Sequence, residues 1–115
     1  MSEETPLSLA EEQAFQLSQA AILLDQTRGD RDTNVGPFAA ALKGNLETWV
    51  ALCTIIGYDD CSLGEDVKRN LRRLAQFVAD KTLAGLETIT NETIDSFINI
   101  NLQISEGLLE GNKAR

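Results

Sequence analysis

The stretch PFAAALKGNLETWVALCTIIG, residues 37–57, decides the fold class of this 115-residue chain. Apolar side chains recur in it at every third or fourth position, which is the period of one helix face. Proline suits the first turn of a helix, and glycine suits the end because it accepts a left-handed conformation. The pattern predicts a helix from Gly36 to about Ile56, with Trp49 buried. The expected core-facing row is Phe38, Leu42, Leu46, Trp49, Val50, Cys53 and Ile56.

The same period continues upstream and predicts a first helix from about Leu9 to Thr27. Ser8 and Glu11 have the capping-box spacing that satisfies open backbone N–H groups at a helix start. The polar connection 28–36 follows and is expected to be the longest in the chain. The buried side of this helix is predicted to be Phe15, Leu17, Ala21 and Leu24, with Ala14, Ala20 and Ile22 beside it.

Two further helices are predicted downstream. The third begins with the capping-box spacing from Ser62 to Glu65 and ends near Gly85. Its expected row is Val67, Leu71, Leu74, Phe77, Val78 and Leu86. The fourth begins near Thr90 or Asn91, both good N-cap residues, and is expected to fray at two late glycines, 107 and 111. Its expected row is Ile94, Phe97, Ile98, Asn101, Ile104 and Leu108.

The predicted fold is all-α, a small antiparallel bundle of four main helices. No segment alternates with the period of two that a strand requires. Short connections favour antiparallel neighbours. The chain is long enough for one domain, 1–115, with 1–7 and 110–115 as frayed termini.

Composition narrows the function to a binding protein rather than an enzyme. The chain has 18 acidic and 10 basic residues, a net charge of −8 and no histidine. The missing histidine excludes imidazole-based triads and His-ligated metal sites, and no phosphate-binding loop is present. The acidic glutamates 3, 4, 11 and 12 are interpreted as a solvated helix start rather than an acid–base pair. No cofactor and no metal are expected, and no segment is apolar enough to span a membrane.

The two cysteines suggest a compartment. Cys53 and Cys61 are too few for a metal site and are interpreted as free thiols that pack as small apolar residues. The N-terminus MSEETPLSLAEEQ has neither the basic start nor the apolar core of a secretion signal. A cytoplasmic location is expected, where thiols stay reduced.

Two groups of polar residues have open interpretations. Lys68, Arg69, Arg72 and Arg73 form one band on the third helix. The band is either a solvated face paired with nearby carboxylates such as Glu65, or a docking patch for an acidic partner or for RNA. RNA is disfavoured by the net charge and by the single Trp and single Tyr available for stacking.

Three asparagines lie among the apolar rows, at positions 45, 70 and 101. An amide near a core must form hydrogen bonds. They either form inter-helix hydrogen bonds that fix register, or hold open the edge of a groove that recognises a partner helix.

Three stretches, read in order, resemble the FlaF family of flagellar biosynthesis regulators. The first is Asn45-Leu-Glu-Thr-Trp49, and the second runs from Leu63 to Thr82, with Asn-Leu followed by Leu-Ala-Gln-Phe-Val. The third is Ile98-Asn-Ile-Asn-Leu-Gln-Ile-Ser-Glu-Gly-Leu108. The resemblance covers about 38–109. The positions that match the family are Asn45, Trp49, Asn70, Leu71, Phe77, Val78, Asn101 and Gly107.

The resemblance implies a cytoplasmic, non-enzymatic protein that promotes flagellin production, in opposition to the repressor FlbT, and acts as a chaperone in flagellin secretion. The implied partner is a helical end of flagellin. FlbT is a second candidate, RNA is a weaker one, and the oligomeric state is left open. A groove between the second and fourth helices, covered by a mobile first helix, is the expected binding place. The candidate partner-binding residues are Asn45, Trp49, Phe97, Asn101, Arg72 and Arg73.

Overall fold

A computed structural model describes residues 9–58, 61 and 63–113, with side chains described as far as residue 110. The helices are α1 (Leu9–Arg28), α2 (Val35–Ile56), α3 (Glu65–Leu83) and α4 (Asn91–Lys113), with a short 3-10 turn at Leu86–Thr88. None of the described residues forms a strand, so the predicted all-α bundle is confirmed. The described helices include none that is both long and apolar enough to cross a membrane. Ser8 and Ser62, the serines of the two predicted capping boxes, lie outside the described residues.

Helix α1 packs against both α2 and α4, and α3 packs on α2 with a lighter contact to α4. Contacts from Ala14 to Ser105 and from Arg28 to Asp95 show that α1 and α4 run antiparallel. The molecule is flat, with extents of 46 × 37 × 19 Å. The most deeply buried large side chains are Trp49, Phe38, Phe97, Leu17, Leu24, Leu52 and Ile56.

The start of α4 forms as its sequence predicts. The Thr93 backbone N–H donates to the Thr90 hydroxyl at 3.1 Å, so Thr90 caps the helix. Helix α2 ends before Gly57 as expected, but Gly57 has a φ of −83° and does not use a left-handed conformation. Gly85, after α3, does use one, with a φ of 120°.

Three residues predicted to face the core, and Ile22, predicted to lie beside the buried row of α1, are instead exposed, and those predictions are wrong. Phe15 is 54% exposed, Ile22 48%, Val50 56% and Val67 47%. The reason is the angular position of each residue around its helix axis. Successive helix residues turn by about 100°, so Phe15 lies about 200° from Leu17, which is fully buried.

The connections also differ from expectation. The α1–α2 connection covers only residues 29–34, whereas 57–64 join α2 to α3, so the prediction of a longest first loop is wrong. Leu86 lies in the 3-10 turn rather than on α3, although it still packs on the core. Helix α4 continues through Gly107 and Gly111 to Lys113.

Candidate functional site

A buried hydrogen-bond network centred on Asn101 ties three helices together. The Trp49 indole Nε1–H donates to Asn101 Oδ1 at 2.8 Å. The Asn101 Nδ2 group donates to the Leu17 carbonyl at 3.0 Å and to Asn45 Oδ1 at 2.7 Å. Residues from α1, α2 and α4 therefore meet at one amide. The inter-helix hydrogen bond expected of Asn45 and Asn101 is present, whereas Asn70 is exposed on α3.

The orientation of both amides follows from the chemistry of their partners. An indole N–H can only donate, so the Asn101 oxygen must face Trp49 and its nitrogen must face Asn45. Asn45 therefore directs its own oxygen toward Asn101. Asn45 Nδ2 is left buried, with no hydrogen-bond partner among the described residues.

A second polar contact fixes how α1 lies on α4. The Ser105 hydroxyl donates to the Ala14 carbonyl at 2.9 Å and lies 2.9 Å from the Ser18 hydroxyl. Because Ser105 lies one turn after Asn101, the two contacts follow the same side of α4. They tie α1 to α4 at two neighbouring turns.

Four of the predicted partner-binding residues are buried inside the bundle. Asn45, Trp49, Phe97 and Asn101 have no exposed surface. Phe97 packs edge-on against Phe77, with ring centroids 5.8 Å apart. A partner reaches these side chains only if the packing around them opens, so their role in binding stays a prediction.

The basic band lies on α3, with three exposed arginines and a lysine, Lys68, whose side chain is only 13% exposed. Two members are paired within the helix: Lys68 lies 3.8 Å from Glu65, and Arg69 lies 2.9 Å from Asp66. Arg72 and Arg73 are exposed and form no ion pair with a described residue. The structure thus divides the band into a paired half and an unpaired half.

The two cysteines are free thiols, as predicted, and both are half-buried. Burial raises the pKa of Cys53 above its ordinary value, and the positive charge of Arg72 opposes part of that effect. No group of three or more His, Cys, Asp or Glu side chains among the described residues is placed to hold a metal ion.

An exposed apolar surface follows the line where α1 meets α4, and sequence reasoning missed it. We call it the α1–α4 seam and define it by Phe15 and Ile22 on α1 with Leu102 and Leu109 on α4. They are 54%, 48%, 45% and 38% exposed. On α1, Ser18 lies three residues after Phe15 and four before Ile22, and on α4 Ser105 has the same spacing between the two leucines. Because Ser18 touches Ser105, both apolar pairs lie beside the same line.

The sequence signal for the seam was the pair of seven-residue spacings, 15 to 22 and 102 to 109. Four carboxylates share helix faces with the seam residues at spacings of three, four or seven: Glu11, Asp25, Asp95 and Glu106. Arg28 bridges two of them, at 3.0 Å from Asp25 and 2.6 Å from Asp95, and these partners raise its pKa. The surroundings of the seam are therefore predominantly negative.

A groove of about 390 Å³ lies between α1 and α2. We call it the α1–α2 groove. It is lined by Gln13, Gln16, Gln19, Ala40, Gly44 and Asn45, among others. Two of these residues have a buried polar atom without a partner among the described residues, Gln13 Oε1 and Asn45 Nδ2.

The family model described as "Flagellar protein FlaF" matches residues 3–108, which is most of the chain. No curated protein and no solved structure matches the sequence.

Proposed function

The chain belongs to the FlaF family of flagellar proteins, and from that premise we propose that it binds flagellin in the cytoplasm before export and links the amount of free flagellin to flagellin translation. The proposed role is that of a chaperone and regulator, not of an enzyme. Its partner is a helical end of flagellin, whose apolar face is unprotected until the filament forms.

The observation that carries this proposal is the α1–α4 seam. Exposed apolar side chains arranged in a patch typically mark an interaction surface. Two antiparallel helices with apolar side chains along their shared line offer a shallow channel for the apolar face of a third helix, which is the helix-in-groove mode of recognition. Phe15 is an anchor that a partner can cover without any rearrangement of the fold.

The charges around the seam specify the partner further. Asp95 and Glu106 are exposed on α4 beside Leu102. An amphipathic helix with lysine or arginine next to its apolar face is therefore favoured over an acidic one. The net charge of −8 would keep the complex soluble.

Docking on the seam is favoured over displacement of α1. Displacement would expose Trp49 and would break the Asn101 and Ser105 hydrogen bonds to α1. Each buried group left without a partner costs about 1–3 kcal/mol. Binding through Trp49, Phe97 and Asn101 is therefore the competing outcome of the test below.

The test measures binding of peptides from the N-terminal and C-terminal helices of flagellin to the full chain. The double variant Phe15→Ser with Leu102→Ser should weaken binding about tenfold or more, because apolar anchors dominate such contacts. A matched control, Val50→Ser with Leu83→Ser, changes two exposed apolar residues away from the seam and should bind as the wild type does. Absence of binding by the wild type would disprove the chaperone role.

The fluorescence of Trp49, the only tryptophan, separates the two binding modes. Docking on the seam should leave the emission of the buried indole unchanged. Displacement of α1 would hydrate the indole and move its emission to longer wavelength.

The unpaired half of the basic band favours a second candidate function, the binding of flagellin message or of an acidic protein partner. Arg72 and Arg73 would supply the contacts. Purification of the chain from a flagellated cell, with the bound species identified as flagellin, FlbT or RNA, distinguishes these candidates.

A further inference from the structure

The α1–α2 groove has hydrogen-bonding capacity that the isolated chain does not use. Asn45 Nδ2 is a donor without a partner among the described residues, and Gln13 Oε1 is an acceptor in the same condition. Trp49 fixes the orientation of Asn101, and Asn101 in turn fixes that of the Asn45 amide. Turning the Asn45 amide over would bring its NH₂ group against the NH₂ group of Asn101, and two donors cannot form a hydrogen bond. Buried polar groups are nearly always paired, so a donor and an acceptor unmet in one groove indicate a missing partner.

The chemistry that satisfies both groups is a carboxamide. A carboxamide oxygen accepts from Asn45 Nδ2, and a carboxamide NH₂ donates to Gln13 Oε1. The chain itself carries two carboxamides on the same groove, since Gln16 and Gln19 line it and are exposed. The exposed side chains of Gln16 and Gln19 are therefore of the chemical kind that would satisfy Gln13 and Asn45.

The α2 side of the groove permits close approach. Ala40, Gly44 and Thr48 follow one another at four-residue spacing along the groove. A Cβ atom placed on Gly44 would meet nothing within 4 Å. Small residues at this spacing let a second helix lie close to the first.

We propose that this groove is the interface of a homodimer, in which two copies meet across a two-fold axis near Gly44. Gln16 and Gln19 of each copy supply carboxamides to Gln13 and Asn45 of the other, with a turn of the Gln13 side chain opening the groove floor. The same patch meets itself, which is the requirement for a two-fold interface.

The charges on α2 agree with this arrangement. Lys43 precedes Gly44, Glu47 follows it, and both are exposed. A two-fold axis perpendicular to α2 makes the two α2 helices antiparallel, so Lys43 of one copy faces Glu47 of the second copy. A parallel arrangement would place like charges together.

Sedimentation equilibrium of the full chain over a range of concentrations tests the proposal. As the concentration rises, the apparent mass of the wild type should increase from the 12.6 kDa of one chain to twice that value. Gly44→Leu fills the groove and should raise the dimer dissociation constant about tenfold or more. Gly107→Leu is the matched control, because a Cβ there also meets nothing within 4 Å and the position lies on α4 away from the groove.

A second variant keeps the test independent of any folding defect at Gly44. Gln16→Ala with Gln19→Ala changes two exposed residues and should also weaken the dimer. Circular dichroism checks that each variant is folded. A wild type that stays monomeric, a dimer unaffected by both groove variants, or equal weakening by Gly107→Leu would each overturn the proposal.

Discussion

The indole nitrogen of Trp49 lies 2.8 Å from the side-chain oxygen of Asn101, across the contact between α2 and α4. Both residues are completely buried. A buried Trp usually finds an acceptor for its N–H, and here that acceptor is an amide that in turn contacts α1 and Asn45. The stability of the bundle should therefore depend on this pair more than on any exposed asparagine or apolar residue.

Two substitutions of Trp49 should separate the contribution of its buried volume to stability from the contribution of its hydrogen bond. Trp49→Ala should lower the free energy of unfolding by about 3–5 kcal/mol, since it empties the centre of the core. Trp49→Phe keeps most of the ring volume but leaves Asn101 Oδ1 without its donor, and should cost about 1–3 kcal/mol. Urea denaturation followed by circular dichroism measures both; an Ala variant as stable as the wild type would contradict the buried position.

Asn101→Ala should be much more destabilising than Asn70→Ala. The first leaves the Trp49 N–H and Asn45 Oδ1 unpaired and removes the extra hydrogen bond to the Leu17 carbonyl, and should cost about 3 kcal/mol or more. The second changes an exposed residue of α3 and should alter stability by no more than about 0.5 kcal/mol. The comparison is made on urea midpoints, and equal losses would rule out a special role for the network.

Replacement of glycine by alanine should change the stability in opposite directions at Gly85 and Gly107. Gly85 has a φ of 120°, which L-residues avoid, so Gly85→Ala should cost about 1–3 kcal/mol. Gly107 lies within α4 with open space around it, so Gly107→Ala should gain up to about 1 kcal/mol from helix propensity. Thermal unfolding of the two variants measures this; a stabilised Gly85→Ala would contradict the left-handed turn.

The raised pKa of Cys53 should appear as a pH dependence of stability. Burial favours the protonated thiol in the folded state. Its contribution is therefore complete below the pKa of an unfolded cysteine and is lost as pH rises above that value. Between neutral and alkaline pH, the free energy of unfolding of Cys53→Ala should fall less than that of the wild type. Urea denaturation at a series of pH values measures both, and an identical pH dependence would contradict the prediction. The matched Cys61→Ala variant controls for removal of a thiol.

Charge reversal of the basic band should separate RNA from flagellin. Arg72→Glu with Arg73→Glu should leave the binding of a flagellin helix to the seam nearly unchanged and only weakly dependent on salt. If RNA were the ligand, the same variant would abolish binding, and wild-type affinity would fall steeply with salt. Both ligands are titrated at two salt concentrations, with Lys81→Glu as the control for a charge reversal at an exposed lysine outside the band.

The sequence by itself determined the local structure. Apolar residues at every third or fourth position specified four helices, because a helix face is defined by neighbours along the chain. Thr90 specified the start of α4 for the same reason, since a cap is a contact over three residues. The three stretches that resemble the FlaF family lie inside the range matched by the family model.

Only the tertiary structure decided which side of each helix is covered. Phe15 and Val50 belong to apolar rows, yet both are exposed because the neighbouring helices cover other arcs of α1 and α2. Asn70 and Asn101 are the same residue type on apolar rows, yet only Asn101 faces two other helices. The seam and the α1–α2 groove each combine residues far apart in the chain, and no local pattern encodes which helices will lie side by side.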